Sequence, residues 1–166
     1  MVEKDQVFSG KMRHVGIFDF KEFYRFCYMW FIHKEYWIVE KNYTEKVTDK
    51  GKEVEIEWEA KRKISDYFRF FLKINWRIVQ LKDVEVQKDG EKISMNKGDV
   101  EIRVNSILEK DYEHRWEGSA IFKFLRTMYD RYLIRGRIED YEMKIYEETD
   151  EFLAQSKAFI ALEGKH

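Results

Sequence analysis

Four glutamates at alternate positions are the residues whose spacing comes nearest to a catalytic arrangement. They are Glu53, Glu55, Glu57 and Glu59. On a strand they would share one face at intervals of about 7 Å, within the range that separates the two carboxylates of inverting glycosidases. Four acids in a row without an enclosing apolar pocket are typical of a solvent-exposed sheet face, where basic residues of a neighbouring strand pair with them. We therefore predict no catalytic residue in this stripe, and we expect its partners to be Arg69, Lys73 and Arg77.

The other reactive residue types do not form a recognisable site. Cys27 falls on the apolar side of a predicted helix, where a thiol is buried and inert. The chain has no phosphate-binding glycine loop and no nucleophile-elbow motif. Metal-ligand spacing is missing among its histidines, which are His14, His33, His114 and His166. The sequence favours a protein that is not an enzyme and that carries no cofactor or metal.

A run of basic residues towards the C-terminus is the clearest charge feature. The segment 139–151, which follows it, carries seven acids and one lysine. Three interpretations remain open: an exposed helix with internal pairs such as Arg135–Glu139, antiparallel docking of two such helices, and nucleic-acid binding. Nucleic acid is the least favoured partner, because 31 basic residues balance 32 acidic ones and the acidic half would repel phosphate. The run consists of Lys123, Arg126, Arg131, Arg135 and Arg137.

The composition describes the scaffold that must position these residues. The chain has 166 residues, of which 44% are hydrophobic and 17% aromatic, with no proline and one cysteine. This indicates one domain with a substantial core and no internal disulfide. Charged residues interrupt the most apolar window, 18–39, and no secretory signal precedes it. We therefore expect a cytoplasmic protein without a membrane span.

One helix has a strong start signal. Asp19 occupies the N-cap position with Glu22 three residues later, and Phe18 and Phe23 have the spacing of a hydrophobic staple. The helix should continue to about His33.

This helix is apolar on two sides. One stripe contains Phe20, Phe23, Tyr24, Cys27, Trp30 and Phe31, and the opposite side carries Phe26, Met29 and Ile32. A helix of this kind is either covered on both sides by the rest of the chain or offers an apolar surface to another molecule. We therefore take the three residues of the second side as candidates for docking a partner, which would be a second copy of the chain or another protein.

The middle of the chain alternates with the period of two that is typical of antiparallel strands. Turns are expected at Asp89-Gly90 and at 96–99. This predicts an α+β fold with an antiparallel sheet of six or seven strands. The predicted strands are 7–17, 36–45, 53–60, 67–81, 84–87, 92–95 and 100–116.

Large aromatic residues recur on the apolar faces of these elements. They are Trp30, Trp58, Phe70 and Trp76. They would either fill the core or line a cavity that accepts a hydrophobic small molecule.

The period returns to 3.6 after Ser119 and indicates a long C-terminal helix packed on the sheet. Unbroken, it would extend for about 44 residues and 65 Å, further than a sheet of this size can cover. Either Gly136 divides the helix, or its far end projects and requires a partner. We divide the chain into a core domain, 1–135, and a helical extension of that domain, 136–166.

The order of strand, helix, antiparallel meander and long C-terminal helix resembles the helix-grip arrangement of START-like (SRPBCC) domains over residues 7–135. The resemblance implies a curved sheet around the last helix with an internal ligand cavity. That family usually has a helix pair after the first strand, where this sequence predicts one helix. Stretches such as 56–63 and 137–142 are similar to small archaeal proteins, a likeness that implies no activity.

These patterns favour a non-enzymatic module that self-associates or docks a protein partner through its helices. The alternative is a carrier or sensor of a hydrophobic small molecule held between the sheet and the last helix. A third interpretation is an RNA- or ribosome-associated factor that uses the basic run.

Overall fold

The computed structural model describes residues 3–110, 120–129, 131 and 135–164. Its elements, in chain order, are β1 (Glu3–Phe18), α1 (Phe20–His33), β2 (Trp37–Thr48), β3 (Gly51–Lys63), β4 (Phe68–Lys88), β5 (Glu91–Lys110), α2 (Ala120–Met128) and α3 (Arg135–Glu163). The strands form one antiparallel sheet in the order β1-β5-β4-β3-β2. The predicted α+β class with an antiparallel sheet is confirmed.

The sheet has one apolar face and one charged face. On β3, Ile56 and Trp58 are buried, whereas Glu55 and Glu57 are exposed. Both α1 and α3 contribute residues to the core that covers the apolar face. The other face, which we call the outer face, carries the charged side chains.

The predicted number of strands is wrong, because the described residues form five strands and two expected interruptions lie inside longer ones. Segments 67–81 and 84–87 join in β4 through an irregularity at Gln80, which has a φ of 56° and beside which the register to β5 shifts. The turn expected at 96–99 lies within β5, which pairs there with β1. The turn at Asp89-Gly90 is confirmed, and it joins two strands of 21 and 20 residues.

Gly98 explains why the second turn signal was misleading. A Cβ at Gly98 would lie 3.3 Å from the Cα of Leu81 and from the carbonyl oxygen of Val79. Glycine is therefore needed at this position because β5 passes close to the irregularity in β4. In the sequence, a glycine of this kind looks the same as one that marks a turn.

The predicted start of α1 is confirmed. The Asp19 carboxylate accepts the backbone N–H of Glu22 at 3.2 Å, and the rings of Phe18 and Phe23 meet edge to face at 6.4 Å. The helix ends at His33, as expected.

The last helix packs on the sheet and against α1. The buried residues Ile145, Phe152 and Ile160 belong to the same core as the strands. The 29 residues of α3 extend about 44 Å and the 21 residues of β4 about 69 Å, so α3 by itself is shorter than the longest strand. Gly136 lies in the first turn of α3.

Two polar residues that interrupt the predicted apolar seam of α3 are themselves buried. The hydroxyl of Thr149 donates to the carbonyl oxygen of Ile145 at 2.7 Å and lies 2.6 Å from the hydroxyl of Ser106 on β5. Ser156 donates to the carbonyl oxygen of Leu153. Because each hydroxyl has a partner, these small residues bring α3 close to the sheet at little cost.

Three sequence predictions fall outside the described residues. They are the end of the last strand at 111–116, His114 and His166.

Candidate docking surfaces

The second apolar side of α1 lies partly against α3. The rings of Phe26 and Phe159 stack with their centroids 4.2 Å apart, and the indole N–H of Trp30 donates to Gln155 at 2.8 Å. Met29 and Ile32 remain 37% and 40% exposed. The two-sided apolar character of α1 therefore arises from a sheet on one side and an incompletely covering helix on the other.

A solvent-open groove of about 500 Å³ runs along this seam, and we call it the α1–α3 groove. Its floor is apolar and is formed by Phe26, Met29, Trp30 and Phe159. Its rim carries Glu22, Arg25, His33, Lys34 and Gln155. Of the three candidate docking residues, Phe26 and Met29 line the groove, while Ile32 is exposed on the same helix outside it.

Ion pairs hold α3 in place beside this groove. Lys34 lies 3.5 Å from Glu151, and Arg62 of β3 lies 2.8 Å from Glu148. The phenol of Tyr36 donates to Glu148 at 2.7 Å, and burial together with the charge of Glu148 raises the pKa of that phenol. Because these contacts connect α3 to α1 and β3, the groove is formed before any partner binds.

The short helix α2 has no buried residue. Its apolar stripe, which falls within an arc of about 100°, is 42–71% exposed. The stripe consists of Ile121, Phe124, Leu125 and Met128. Lys123 and Arg126 lie on the other side and are the charged residues of this helix.

A ring contact locates α2 on the molecule. Tyr129, which directly follows α2, meets Tyr67 with ring centroids 5.8 Å apart. Tyr67 precedes β4, so the end of α2 lies where β3 passes into β4. An apolar helical face is thus presented to solvent at one end of the sheet.

The basic run is divided between two helices. Lys123 and Arg126 lie on α2, Arg135 and Arg137 lie on α3, and Arg131 falls between them. The predicted pair Arg135–Glu139 forms at 3.7 Å.

The four aromatic residues proposed to line a cavity are buried in ring-to-ring contact. Trp58 and Trp76 are 5.2 Å apart, Trp30 lies 5.1 Å from Phe152, and Phe70 lies 6.4 Å from Tyr141.

The polar atoms of this cluster are only partly satisfied. The indole N–H of Trp58 and the phenol of Tyr24 both donate to Glu40, at 3.1 and 2.7 Å. Burial and the bond to Glu40 raise the pKa of Tyr24. The indole nitrogen of Trp76 is buried and has no hydrogen-bond partner among the described residues.

The acidic stripe of β3 lies on the outer face, as predicted. Glu55 stands opposite Arg77 and Glu59 opposite Lys73 on β4, whereas Arg69 pairs with Glu109 of β5 instead. The stripe is therefore part of a surface of both signs. Glu55 and Glu57 line an open pocket of about 430 Å³ there, together with Arg77, Glu101 and Arg103.

The remaining chemistry-bearing groups are the thiol of Cys27 and the possible metal ligands. Cys27 is fully buried, and burial raises the pKa of its thiol. Within the described ranges, no three His, Cys, Asp or Glu side chains are grouped to hold a metal ion. The same ranges contain no helix that is long and apolar enough to cross a membrane.

Sequence reasoning missed Glu163. One of its carboxylate oxygens accepts the backbone N–H of Asp19 at 2.8 Å, and the other is buried without a partner among the described residues. Burial and the nearby acids Asp19 and Glu22 raise the pKa of Glu163 to about 7, against the opposing effect of the Asp19 N–H. No sequence signal could have found this group, because the end of α3 meets the start of α1 only in the folded chain.

The exposed stripe of α2 was also missed, although a signal existed. Ile121, Leu125 and Met128 fit the same 3.5-residue seam as the buried residues of α3. A single long helix would place all of them on the sheet. The apolar seam thus runs through both helices in the sequence, but its residues are buried on α3 and exposed on α2.

Comparison of this chain with protein-family models, with curated proteins and with solved structures found no match in any of the three.

Proposed function

We propose that the protein is a self-associating module in which α2 of one copy lies in the α1–α3 groove of a second copy. The observation that carries this proposal is the apolar stripe of α2, which faces solvent. Burial of a large apolar side chain contributes about 1.5–3 kcal/mol. A contiguous apolar helical face at the surface is therefore typical of an interaction site.

The stripe has the spacing that helix-in-groove recognition uses. Ile121, Phe124, Leu125 and Met128 stand at positions i, i+3, i+4 and i+7. The apolar floor of the groove offers aromatic and thioether surfaces from Phe26, Met29 and Phe159. Methionine and aromatic side chains adapt to such a stripe by changing rotamer.

The charges around the groove are compatible with a second copy as the occupant. Both charged residues of α2 are basic, and the acids nearest the groove are Glu22 on its rim and Glu151, which pairs with Lys34 of the rim. A helix lying in the groove would bring Lys123 and Arg126 towards these two acids. Attraction of this kind sets the orientation of docking more than its strength.

Symmetry supports a closed dimer. One nine-residue helix alone cannot bury the area of about 1,000 Å² that a stable interface needs. Every copy has both a helix and a groove, so a two-fold arrangement makes the contact twice and leaves neither surface exposed.

Size-exclusion chromatography with light scattering tests the proposal. The wild-type chain should have twice its 20.5 kDa mass at micromolar concentration, and Phe124→Asp should be monomeric. Val47→Asp is the matched control, because Val47 is also exposed but lies on β2. A wild-type monomer at every concentration, or equal masses for wild type and Phe124→Asp, would contradict the proposal.

A second candidate function is a carrier of a hydrophobic small molecule, in line with the resemblance to helix-grip domains. The buried indole N–H of Trp76, which has no partner in the described part of the chain, favours it, because an oxygen atom of a ligand would satisfy that donor. The ligand would have to separate the rings that now meet. Native mass spectrometry of the purified wild-type protein should then show a bound small molecule that is absent from Trp76→Phe. A wild-type spectrum without any bound molecule would contradict this function.

A further inference from the structure

A second surface, on the outer face of the sheet, has a different chemistry. Phe71 of β4 is only 4% exposed although its neighbours along β4, Phe70 and Leu72, point to the core. The ammonium nitrogens of Lys61, Lys4 and Lys73 lie 5.1, 5.3 and 5.8 Å from the centroid of its ring. Three lysines from three strands are therefore gathered around one aromatic side chain.

Like charges gathered in this way repel one another, and an aromatic ring offsets only part of that cost. Lys4 lies 3.6 Å from Glu109, which also binds Arg69. Within the described residues, neither Lys61 nor Lys73 has a carboxylate within 4.0 Å, although Glu59 stands opposite Lys73 in the register. The cluster therefore retains positive charge that an anion would neutralise.

An exposed indole lies beside this cluster. Trp37, the first residue of β2, is directly opposite Lys61 in the sheet and is 75% exposed. Directly opposed side chains on one face of an antiparallel pair are neighbours. Across four strands the outer face thus presents Trp37, then Lys61, then Phe71, then Ile107.

We propose that this surface binds single-stranded nucleic acid, with phosphates held by Lys4, Lys61 and Lys73 and a base stacked on Trp37. A lysine cluster beside a solvent-exposed aromatic ring on an open sheet is the combination that single-strand recognition uses. A duplex hides its base faces, so the indole favours the single strand over the double strand. The acids Glu55, Glu57 and Glu101 further along the outer face confine the strand to this end of the sheet.

This site is independent of the proposed self-association. It uses neither α2 nor the α1–α3 groove, so failure of one proposal leaves the other standing. It also differs from the basic run, which lies on α2, on α3 and between them.

Fluorescence anisotropy with a labelled twelve-nucleotide oligouridine tests the site on the full chain. Binding should weaken as salt rises, and Lys61→Gln with Lys73→Gln should weaken it at least tenfold and lower the salt slope by about one to two. Trp37→Ala should weaken it about 5- to 100-fold. Lys88→Gln with Lys92→Gln, beside the hairpin turn, is the charge-matched control and should change little.

The outcomes separate nucleic acid from other sources of negative charge. Loss of binding in both the lysine and the tryptophan variants, with no competition from a duplex of the same length, supports the proposal. If heparin displaces the labelled strand as well as unlabelled oligouridine does, and Trp37→Ala has no effect, the surface binds any polyanion and the proposal fails. The absence of any binding at 100 mM salt would also overturn it.

Discussion

Whether a buried polar side chain of this protein is fully hydrogen-bonded depends on the partners that tertiary contacts bring to it. Thr149 and Ser106 satisfy one another where α3 crosses the sheet, so two hydroxyls are accommodated in the core. Glu163 has only half of the bonds it needs, because one oxygen accepts the Asp19 N–H and the other has no partner among the described residues. Burial of an incompletely paired carboxyl favours its neutral form.

Glu163 should make stability fall as pH rises. Its pKa is raised to about 7 from 4.5, so the folded chain binds more protons than the unfolded chain between these values. Stability is therefore fully present below the unfolded pKa and is lost as pH rises through the folded pKa. Glu163→Gln should remove this loss and stabilise the protein at pH 8 by about 1 kcal/mol, a value discounted because the group is half exposed.

Urea unfolding of both proteins between pH 4 and pH 8 measures this effect. Asp19, Glu22 and Lys88 line the same surface groove as Glu163 and are unchanged in the variant, so the difference between the two curves isolates Glu163. Parallel pH profiles for the two proteins would show that the carboxyl titrates normally.

Secondary structure elements were predicted well where local signals and tertiary contacts agree. The N-cap and staple of α1, the alternating faces of β3 and the Asp89-Gly90 hairpin are local, and all are confirmed. The number of strands was not predictable from local signals. β4 continues past the irregularity at Gln80 because β5 pairs with it on both sides of that point. Of the candidate site, the apolar side of α1 was predicted, but the groove was not, since Phe159 comes from a distant helix.

Gly51 is the element-scale position where a single methyl group should disturb the sheet. Its φ is 129°, and a Cβ would lie 2.9 Å from the carbonyl carbon of Gln80 and 3.0 Å from the carbonyl oxygen of Leu81. Gly51→Ala should therefore lower the free energy of unfolding by about 2 kcal/mol. Gly136→Ala is the control, because nothing lies within 4 Å of its Cβ position, and it should stabilise α3 by about 0.5–1 kcal/mol.

Thermal and urea unfolding of the two variants checks this prediction. A Gly51→Ala protein as stable as wild type would mean that β3 begins without close contact to the irregularity in β4.

At the scale of the whole molecule, the two uncovered apolar surfaces that concern assembly lie in separate positions among the described residues. α3 packs on the long strands, and apolar surface remains uncovered on α2 at one end of the sheet and in the α1–α3 groove. The end of α2 contacts Tyr67, which is not among the residues that line the groove, so we expect the two surfaces to meet between copies. We expect the assembly to be a dimer in which each copy contributes both surfaces.

Site-directed disulfide formation between two differently tagged chains tests this account most directly. Ile121→Cys on α2 and Met29→Cys in the groove place one thiol on each proposed surface, and Cys27 is fully buried. Mixed at micromolar concentration under mild oxidation, they should form the mixed disulfide far faster than Ile121→Cys mixed with Val47→Cys. Equal rates for the two mixtures would contradict docking of α2 in the groove of a second copy.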